Sequence, residues 1–488
     1  MIYNINKVLG WLSNSGVEYA QVYRHEAFHN QVLPHKFIFL EQTESNFLTR
    51  AQNMGYEQED VLELHNLFSD ITIKNPELTY QEISAKYGFT EENPLLTYQI
   101  TFDKVNELKV DYIDVYVNNQ RVRRDHFSYV LTHSNFYVDN KRVSVIWYNE
   151  DGSNALEFLV DGNVYGVPGF GLITSDELIT LGLKRMNIQH EDTILVDRAL
   201  GVINGIVQGN VNKAKLGIMV HAEHFIRSFV SDKYVLWNNH YEYPLQHSHL
   251  FDYIIVATDQ QRFTLMKQLQ LLQLRSDNVV TVPVGNIKVR HKKSNHIQVG
   301  KRFMTASRLT AEKNLSLLIQ AFVQAYDGQS SLDIYGEGSS QQQLQQLIES
   351  LHATSYIKLK GHQSLEQIYP QYDFYISASK GEGFGLTLME AVSNSLIMIG
   401  FNVPYGNQVF IQPGINGFLI DYVSDDNKNR NNLADVISRV NRTYSNNQLL
   451  EMSNASFQLA ESYLLENVGD QWRTLLAGSE TINENTTV

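Results

Sequence analysis

The sequence predicts an α/β protein of two successive doubly wound units, the first interrupted by an antiparallel β-sheet. Three observations predict it. Strand-like apolar runs alternate with helical spacing in two separate series. Between about residues 97 and 165 the period switches to strict alternation punctuated by hairpin turns. The aromatic excess of the chain, with Tyr 27 and Phe 23, crowds into that same stretch. The 488 residues allow about three domains at ~150 residues each. The expected division is 1–75 with 170–290 as the first lobe, 76–169 as the insertion, 291–476 as the second lobe and 477–488 as a polar tail.

Each element follows in order. IYNIN opens as a short strand, Gly10 and Ser13-Asn14-Ser15-Gly16 punctuate a loop, and a helix runs from about Val17. KFIFLE is a second strand, and VLELHNLFSDI shows helical spacing at Val61, Leu62, Leu64 and Leu67. In the insertion, Asn149–Ser153 and Asp161-Gly162-Asn163 mark two hairpins. Its aromatics include Tyr98, Phe102, Tyr112, Tyr116, Phe127, Tyr129, Phe136, Tyr137, Trp147 and Tyr148. They fit ordinary strand propensity first, and a docking surface for a protein or extended peptide is the alternative. DTILVD, KLGIMVHAEH and FDYIIVATDQQ resume buried parallel strands, followed by an amphipathic helix and VVTVPVG. Past the polar HKKSNH linker, KRFMTASRL, LDIYGEG, YIKLKGH, FYISAS and IMIGFNV are strands separated by helices, and a helical stretch runs to about Leu476. A ligand is expected between the lobes, at the strand ends.

Composition narrows the function. Lys+Arg 39 against Asp+Glu 53 gives a net charge of −14, which repels phosphate backbones and argues against a dedicated nucleic-acid binder. With no cysteine, thiolate nucleophiles and Cys-ligated metals drop out. Neither a secretory signal nor a membrane-length apolar run is visible, so a cytoplasmic location is expected.

The densest chemical signal is SASKGEGFGLTLMEAVSNS. Glu382 lies in a glycine-rich turn after a strand, and Glu390 lies within the next helix, which opens near Leu386. Glycines at 381, 383 and 385 let a ligand approach the backbone, and amides at a helix start favour phosphate. The two carboxylates are too far apart for one small site, so they should hold different parts of an extended ligand. The alternative is a capping Glu382 and an exposed Glu390. Arg308 and Lys313 enter a turn at another strand end, where a fork and a mobile point charge suit a diphosphate; a solvated helix start is the alternative. His221 and His224 have metal-like spacing but lack an acidic partner, and no metal is expected. His247, His249, Asp425 and Asp426 read as solvated loop residues. Gly336 and Gly338 lack the third glycine of a dinucleotide fingerprint, and no nucleophile elbow or Walker loop is present.

Taken jointly, Arg308 and Lys313, IYGEG, YIKLKGH and Glu382-x7-Glu390 with GFGL and MEA resemble the retaining GT-B enzymes of glycosyltransferase family 4. The likeness extends over nearly the whole chain. IYNIN, SGVEYAQ, DHFSY, NEDG, VHAEH, LWNN, VPVG and VPYGNQ are similar to the GtfA family, the catalytic subunits of the protein O-GlcNAc transferases of accessory Sec systems in Gram-positive bacteria.

The resemblance implies a UDP-sugar donor, no metal cofactor, and Ser/Thr hydroxyls of a serine-rich repeat adhesin as acceptor in the first step of its O-glycosylation. It implies a related non-catalytic GtfB-like subunit as partner, an inserted β-sheet domain that docks acceptor or partner, and the inner membrane face as a place of peripheral contact. By position, Arg308 and Lys313 would neutralise the diphosphate, Glu390 would meet the ribose, and Gly361 and His362 the uracil. Glu382, Gly383, Phe384 and Gly385 would contact the transferred sugar with His221 beside it, and Leu386 would join the UDP contacts. Gly16, Val17, Glu18 and Tyr19 would bring the first helix's N-terminus to the diphosphate. Same-face attack, with the leaving phosphate taking the acceptor proton, needs no protein nucleophile. UDP-GlcNAc is the leading donor and UDP-Glc its rival, since Lys380 and Gly381 fall where relatives vary. A wall teichoic acid glycosyltransferase is a second enzymatic alternative. A non-catalytic subunit is the third, disfavoured because Arg308, Lys313, Glu382 and Glu390 are all intact.

Overall fold

The computed structural model describes residues 1–10, 16–43, 46–89, 95–104, 106–293 and 301–477. The Ser13–Ser15 part of the first loop, the end of the HKKSNH linker and the polar tail lie outside them. The chain divides into two compact units, Met1–Glu18 with Leu33–Met219 and Asn239–Tyr253, and Tyr19–Val32 with Val220–Asn238 and Ile254–Val488.

In the first unit, Lys215–Val220, Thr193–Val196, Ile2–Asn6, His35–Phe39 and Val61–Glu63 lie side by side in that order as parallel strands. Ile5, Phe37, Ile38, Phe39, Ile194, Leu195 and Val196 are all buried, the continuous apolar pattern of strands covered on both faces. The helical spacing expected across Val61–Leu67 is overturned. Val61–Glu63 pairs with Phe37–Phe39, and Leu64–Phe68 forms a 3₁₀ turn. A short apolar run fits either period, and here the open edge of the sheet decides. Glu63 then lies buried, accepting the Thr43 amide at 2.6 Å, and burial raises its carboxyl to about 7.

Inserted in this unit is an eight-stranded sheet from Leu96–Phe102 to Gly171–Thr174, each strand antiparallel to the next. Both expected hairpins form, at Asn149–Ser153 and around Asp161–Asn163. Two more turn at Asn118-Asn119 and Asp139-Asn140, where all four residues have positive φ, as tight two-residue turns require. Of the ten aromatics named above, only Phe102 is exposed. The rest pack within the sheet or under its cover, where Ile83 and Phe89 meet Val110, Ile113, Val115 and Phe127. Tyr112, His126, His133 and Trp147 form a row across four neighbouring strands, and His65 stacks on Trp147 at 4.4 Å.

The second unit contains a six-stranded parallel sheet in the order Ile357–Gly361, Ser331–Tyr335, Arg302–Ala306, Phe374–Ser377, Ile397–Asn402 and Gly417–Asp421. The alternation read from KRFMTA onward therefore forms one sheet. Its core includes Phe303, Phe322, Ile334, Phe374, Ile376 and Ile399. Burying each such side chain contributes on the order of 1.5–3 kcal/mol. Tyr253–Val256 pairs in parallel with Val279–Thr281, and helices Asp426–Arg442, Asn446–Leu459 and Leu465–Ala477 close the described chain. The fold class matches expectation: parallel α/β sheets with an antiparallel sheet inserted.

Candidate active site

Three strand ends of the second unit converge on one constellation. After Arg302–Ala306 the chain turns through Ser307–Leu309. Here Gly336 and Gly338 do something other than bind a dinucleotide. A Cβ on Gly336 would lie 1.9 Å from the Ser307 carbonyl, so only glycine lets this strap pack on the neighbouring strand end. The Ser307 and Leu309 amides donate to the carbonyls of Tyr335 and Glu337, and the Gly336 amide to Gly361. Arg308, on this strap, is exposed and makes a surface pair with Glu312 at 3.2 Å.

Lys313 ends the 3₁₀ turn Ala311–Lys313, before Asn314 at φ 54° opens the helix Leu315–Ala325. That turn aims the Lys313 Nζ at the Glu382 Oε1, 2.8 Å away, with side chains only 14% and 17% exposed. The Ser379 hydroxyl donates to the same oxygen at 2.6 Å. The family resemblance implies the diphosphate for Lys313 and the transferred sugar for Glu382, and the structure makes the two side chains direct partners. The Glu382 carbonyl accepts the Tyr405 and Gly406 amides, and its own amide donates to the Pro404 carbonyl. The expected capping alternative for Glu382 does not apply, because Gly385, at φ 86°, caps the helix Leu386–Ser393.

Gly383 brings His221 into the constellation. A Cβ on Gly383 would stand 2.4 Å from the His221 carbonyl, so the two backbones touch. His224, by contrast, is buried with Nε2 2.7 Å from the Gln268 side-chain oxygen, and burial lowers its imidazole to about 4. The metal-like spacing of the two histidines thus has a packing role for its second member. Phe384 is buried edge-on against Phe410 and near Tyr463, which leaves only its backbone for a ligand. Gly361, at φ 70°, ends its strand, and His362 beyond it is exposed.

Glu390 lies in the helix opened by Leu386 and is not the exposed residue of the alternative reading. The Tyr369 hydroxyl donates to its Oε2 at 2.8 Å and the Tyr23 hydroxyl to its Oε1 at 3.2 Å. Burial raises its carboxyl above the usual range, and the two phenol hydroxyls oppose that rise. Tyr19 lies near enough for the Glu390 charge, after burial, to raise its phenol. The helix carrying both tyrosines is fastened within the unit. The Asn286 side chain donates to the Tyr23 carbonyl, and Lys288 pairs with Glu26 at 2.9 Å. Gly16, Val17 and Glu18 form the first turn of that helix and belong to the first unit, where the buried Glu18 pairs with Arg198 at 2.8 Å.

Sequence reasoning missed Ser379, Tyr23 and Tyr369. Ser379 abuts the glycine-rich turn and could have been included. The tyrosines come from distant segments that carry no local signal.

The sequence matches the family described as Glycosyl transferases group 1 over residues 286–446, and the GtfA extended beta-sheet domain over 78–168. The UDP-N-acetylglucosamine–peptide N-acetylglucosaminyltransferase GtfA subunit of Streptococcus gordonii is 36% identical, with 97% of this chain and 98% of that protein aligned. Two solved structures are similar along the chain. The pneumococcal O-GlcNAc transferase GtfA in complex with UDP and GlcNAc has TM-score 0.86 and 32% identity, covering 98% of each chain. A GtfA/B complex has TM-score 0.88 and 34% identity, covering 98% of this chain and 99% of that one. With the Lys313–Glu382 pair, the half-buried Glu390 and the inserted sheet in place, identity at this level over this length means that the chain belongs to the GtfA family of glycosyltransferases.

Proposed function

We propose that this chain transfers N-acetylglucosamine from UDP-N-acetylglucosamine to Ser or Thr hydroxyls of a serine-rich polypeptide, with retention at the anomeric carbon, and that it works with a GtfB-type subunit. The observation that carries the reading is the meeting of Lys313, Glu382, Gly383 and His221 at the strand ends. The names of the GtfA relatives and the GtfA/B complex support the donor, the peptide acceptor and the partner.

In this reading Lys313 and Arg308 hold the diphosphate. Negative charge develops there as the bond from the anomeric carbon to the β-phosphate oxygen breaks, and fixed cations stabilise it. The acceptor oxygen forms its bond on the face the phosphate leaves, and its proton passes to the departing phosphate oxygen. Glu382 orients the transferred sugar, held in turn by Ser379. Glu390 accepts hydrogen bonds from the ribose hydroxyls, and the backbone at Gly361 and His362 meets the uracil. With two protein cations on the diphosphate, transfer proceeds undiminished in the presence of a chelator.

The test is a transfer assay with UDP-GlcNAc or UDP-Glc, offering a serine-rich peptide or a ribitol phosphate polymer, with and without the co-expressed partner. GlcNAc on Ser or Thr is expected, and Glu382→Gln and Arg308→Ala abolish it while the fold survives. Wild-type turnover by both variants, or transfer only to the polymer, overturns the reading.

A further inference from the structure

Immediately after the segment that touches Gly383, the second unit extends a two-stranded antiparallel hairpin, Phe225–Val230 with Val235–Trp237. Its register is unusual. Phe225 pairs with Trp237 and Val230 with Val235, so Ile226–Phe229 stand opposite the single residue Leu236. Among the described residues no third strand joins this pair. The first strand is exposed along nearly its whole length, with Ile226 38%, Phe229 58% and Val230 41% exposed, and Tyr234 in the turn 52% exposed. Unpaired strand backbone beside exposed apolar side chains is what soluble proteins otherwise blunt, because it templates strand addition.

The hairpin's base is fixed at the candidate active site. His221, whose carbonyl meets Gly383, is four residues before the strand, roughly 13 Å of extended chain at ~3.3 Å per residue. The Arg227 guanidinium lies 3.8 Å from where a Cβ on Gly381 would stand, and it pairs with Glu223 at 2.6 Å. The ring of His224 stacks on that of Tyr405, whose amide binds the Glu382 carbonyl. Gln261 donates to the Ala222 carbonyl at 2.8 Å. The base of the strand therefore lies beside the Gly381–Gly383 turn that carries Glu382.

We propose that Phe225–Val230 is the docking edge for the acceptor polypeptide, which adds to it as an extended strand. This rests on the glycosyl-transfer reading above and names how its acceptor is held. Main-chain pairing is indifferent to side-chain identity, and small hydroxyl side chains fit beside Ile226, Phe229 and Val230, so repetitive serine-rich sequence is accepted at many registers. A lipid surface and a second protein copy are the other occupants an apolar edge could take.

The experiment uses the full-length chain, a fluorescent serine-rich peptide, and the variants Ser228→Pro and Phe229→Asp, both at exposed positions. The first removes a backbone amide of the strand and the second places a charge at an exposed apolar position. Peptide binding weakens about tenfold or more in both, while UDP binding and melting temperature stay at wild-type values. In hydrogen exchange, peptide slows the amides of Ile226–Val230. Equal peptide binding by wild type and both variants overturns the proposal. So does exchange protection confined to other segments, or variants that lose binding to phosphatidylglycerol vesicles or self-association but keep the peptide. A wild-type chain that binds peptide through this strand yet transfers no GlcNAc sinks the transfer reading and leaves the docking edge standing.

Discussion

Two glutamates eight positions apart in one motif live in opposite surroundings. Glu382 lies in the glycine-rich turn, held by a lysine ammonium at 2.8 Å and a serine hydroxyl. Glu390 lies within the helix, held by two neutral phenols, and burial raises its carboxyl. An anchoring cation ties a carboxylate to whatever else that cation binds. Neutral donors leave the carboxylate as an acceptor that a ligand's hydroxyl can share. In the proposed reading the difference separates the site into a charge-handling end and a hydroxyl-reading end, and each substitution below tests that separation.

The largest effect is expected at the charged end. Lys313→Ala or Glu382→Gln lowers the turnover number on the order of 10²–10³-fold or more, the scale of removing a group that acts on developing charge. Steady-state transfer to a serine-rich peptide reads it, and an effect confined to KM would erase the distinction between the ends. At the other end, Glu390→Gln raises the donor KM by roughly 10–100-fold with little change in turnover number, as expected for a charge-assisted hydrogen bond of about 1.5–3 kcal/mol made equally in ground and transition states. Tyr369→Phe has a smaller effect, with a pH signature. Its hydroxyl opposes the rise that burial causes, so losing it raises the Glu390 carboxyl further. On acidification the donor KM then begins to climb at a higher pH than in wild type. Superimposable profiles would reduce Tyr369 to packing.

The inserted sheet, with the His65 ring stacked on its Trp147, provides the third member of the comparison, buried imidazoles that no carboxylate pairs with among the described residues. Burial lowers the His65 and His133 imidazoles to about 3; a proton on His133 would oppose one on His65, and the Arg142 charge adds to each. His126 is likewise lowered by burial. All are neutral in the fold, whereas the unfolded chain takes up protons below about pH 6.5. The stability they contribute is therefore complete above that value and is lost as pH falls toward about 3. Melting curves from pH 7 to 5, with hydrogen exchange across 110–150, should show this sheet loosening first. His133→Gln should flatten the dependence.

Much of this molecule was legible before its structure. Five of the six strands of the second sheet followed from apolar runs bounded by glycine and polar turns, and the sixth, Gly417–Asp421, did not, because its glycine-rich approach reads as a turn. Arg308, Lys313, Glu382 and Glu390 stood out because strand-end glycines with charged neighbours have few uses. The hairpins at Asn118-Asn119 and Asp139-Asn140 were not singled out, although their residue types adopt positive φ readily. Val61–Glu63 was not readable, because three strand residues and a turn mimic a helical face. The aromatic excess was legible as sheet, and its packing shows most of it serving the sheet's own interior.

By itself the sequence determined the fold class, the place of the insertion and the charged residues available for a diphosphate. Periodicity and turn chemistry are local, and the family resemblance draws on motifs contiguous in the chain. Only the tertiary structure decided who partners whom. Lys313 on Glu382, Tyr23 and Tyr369 on Glu390, Gly383 against His221 and the strap on Gly336 all join residues from separate segments. Such pairings depend on sheet order and on angstrom-scale close approach. No local pattern encodes those quantities, because the energy that sets them comes from packing the whole unit.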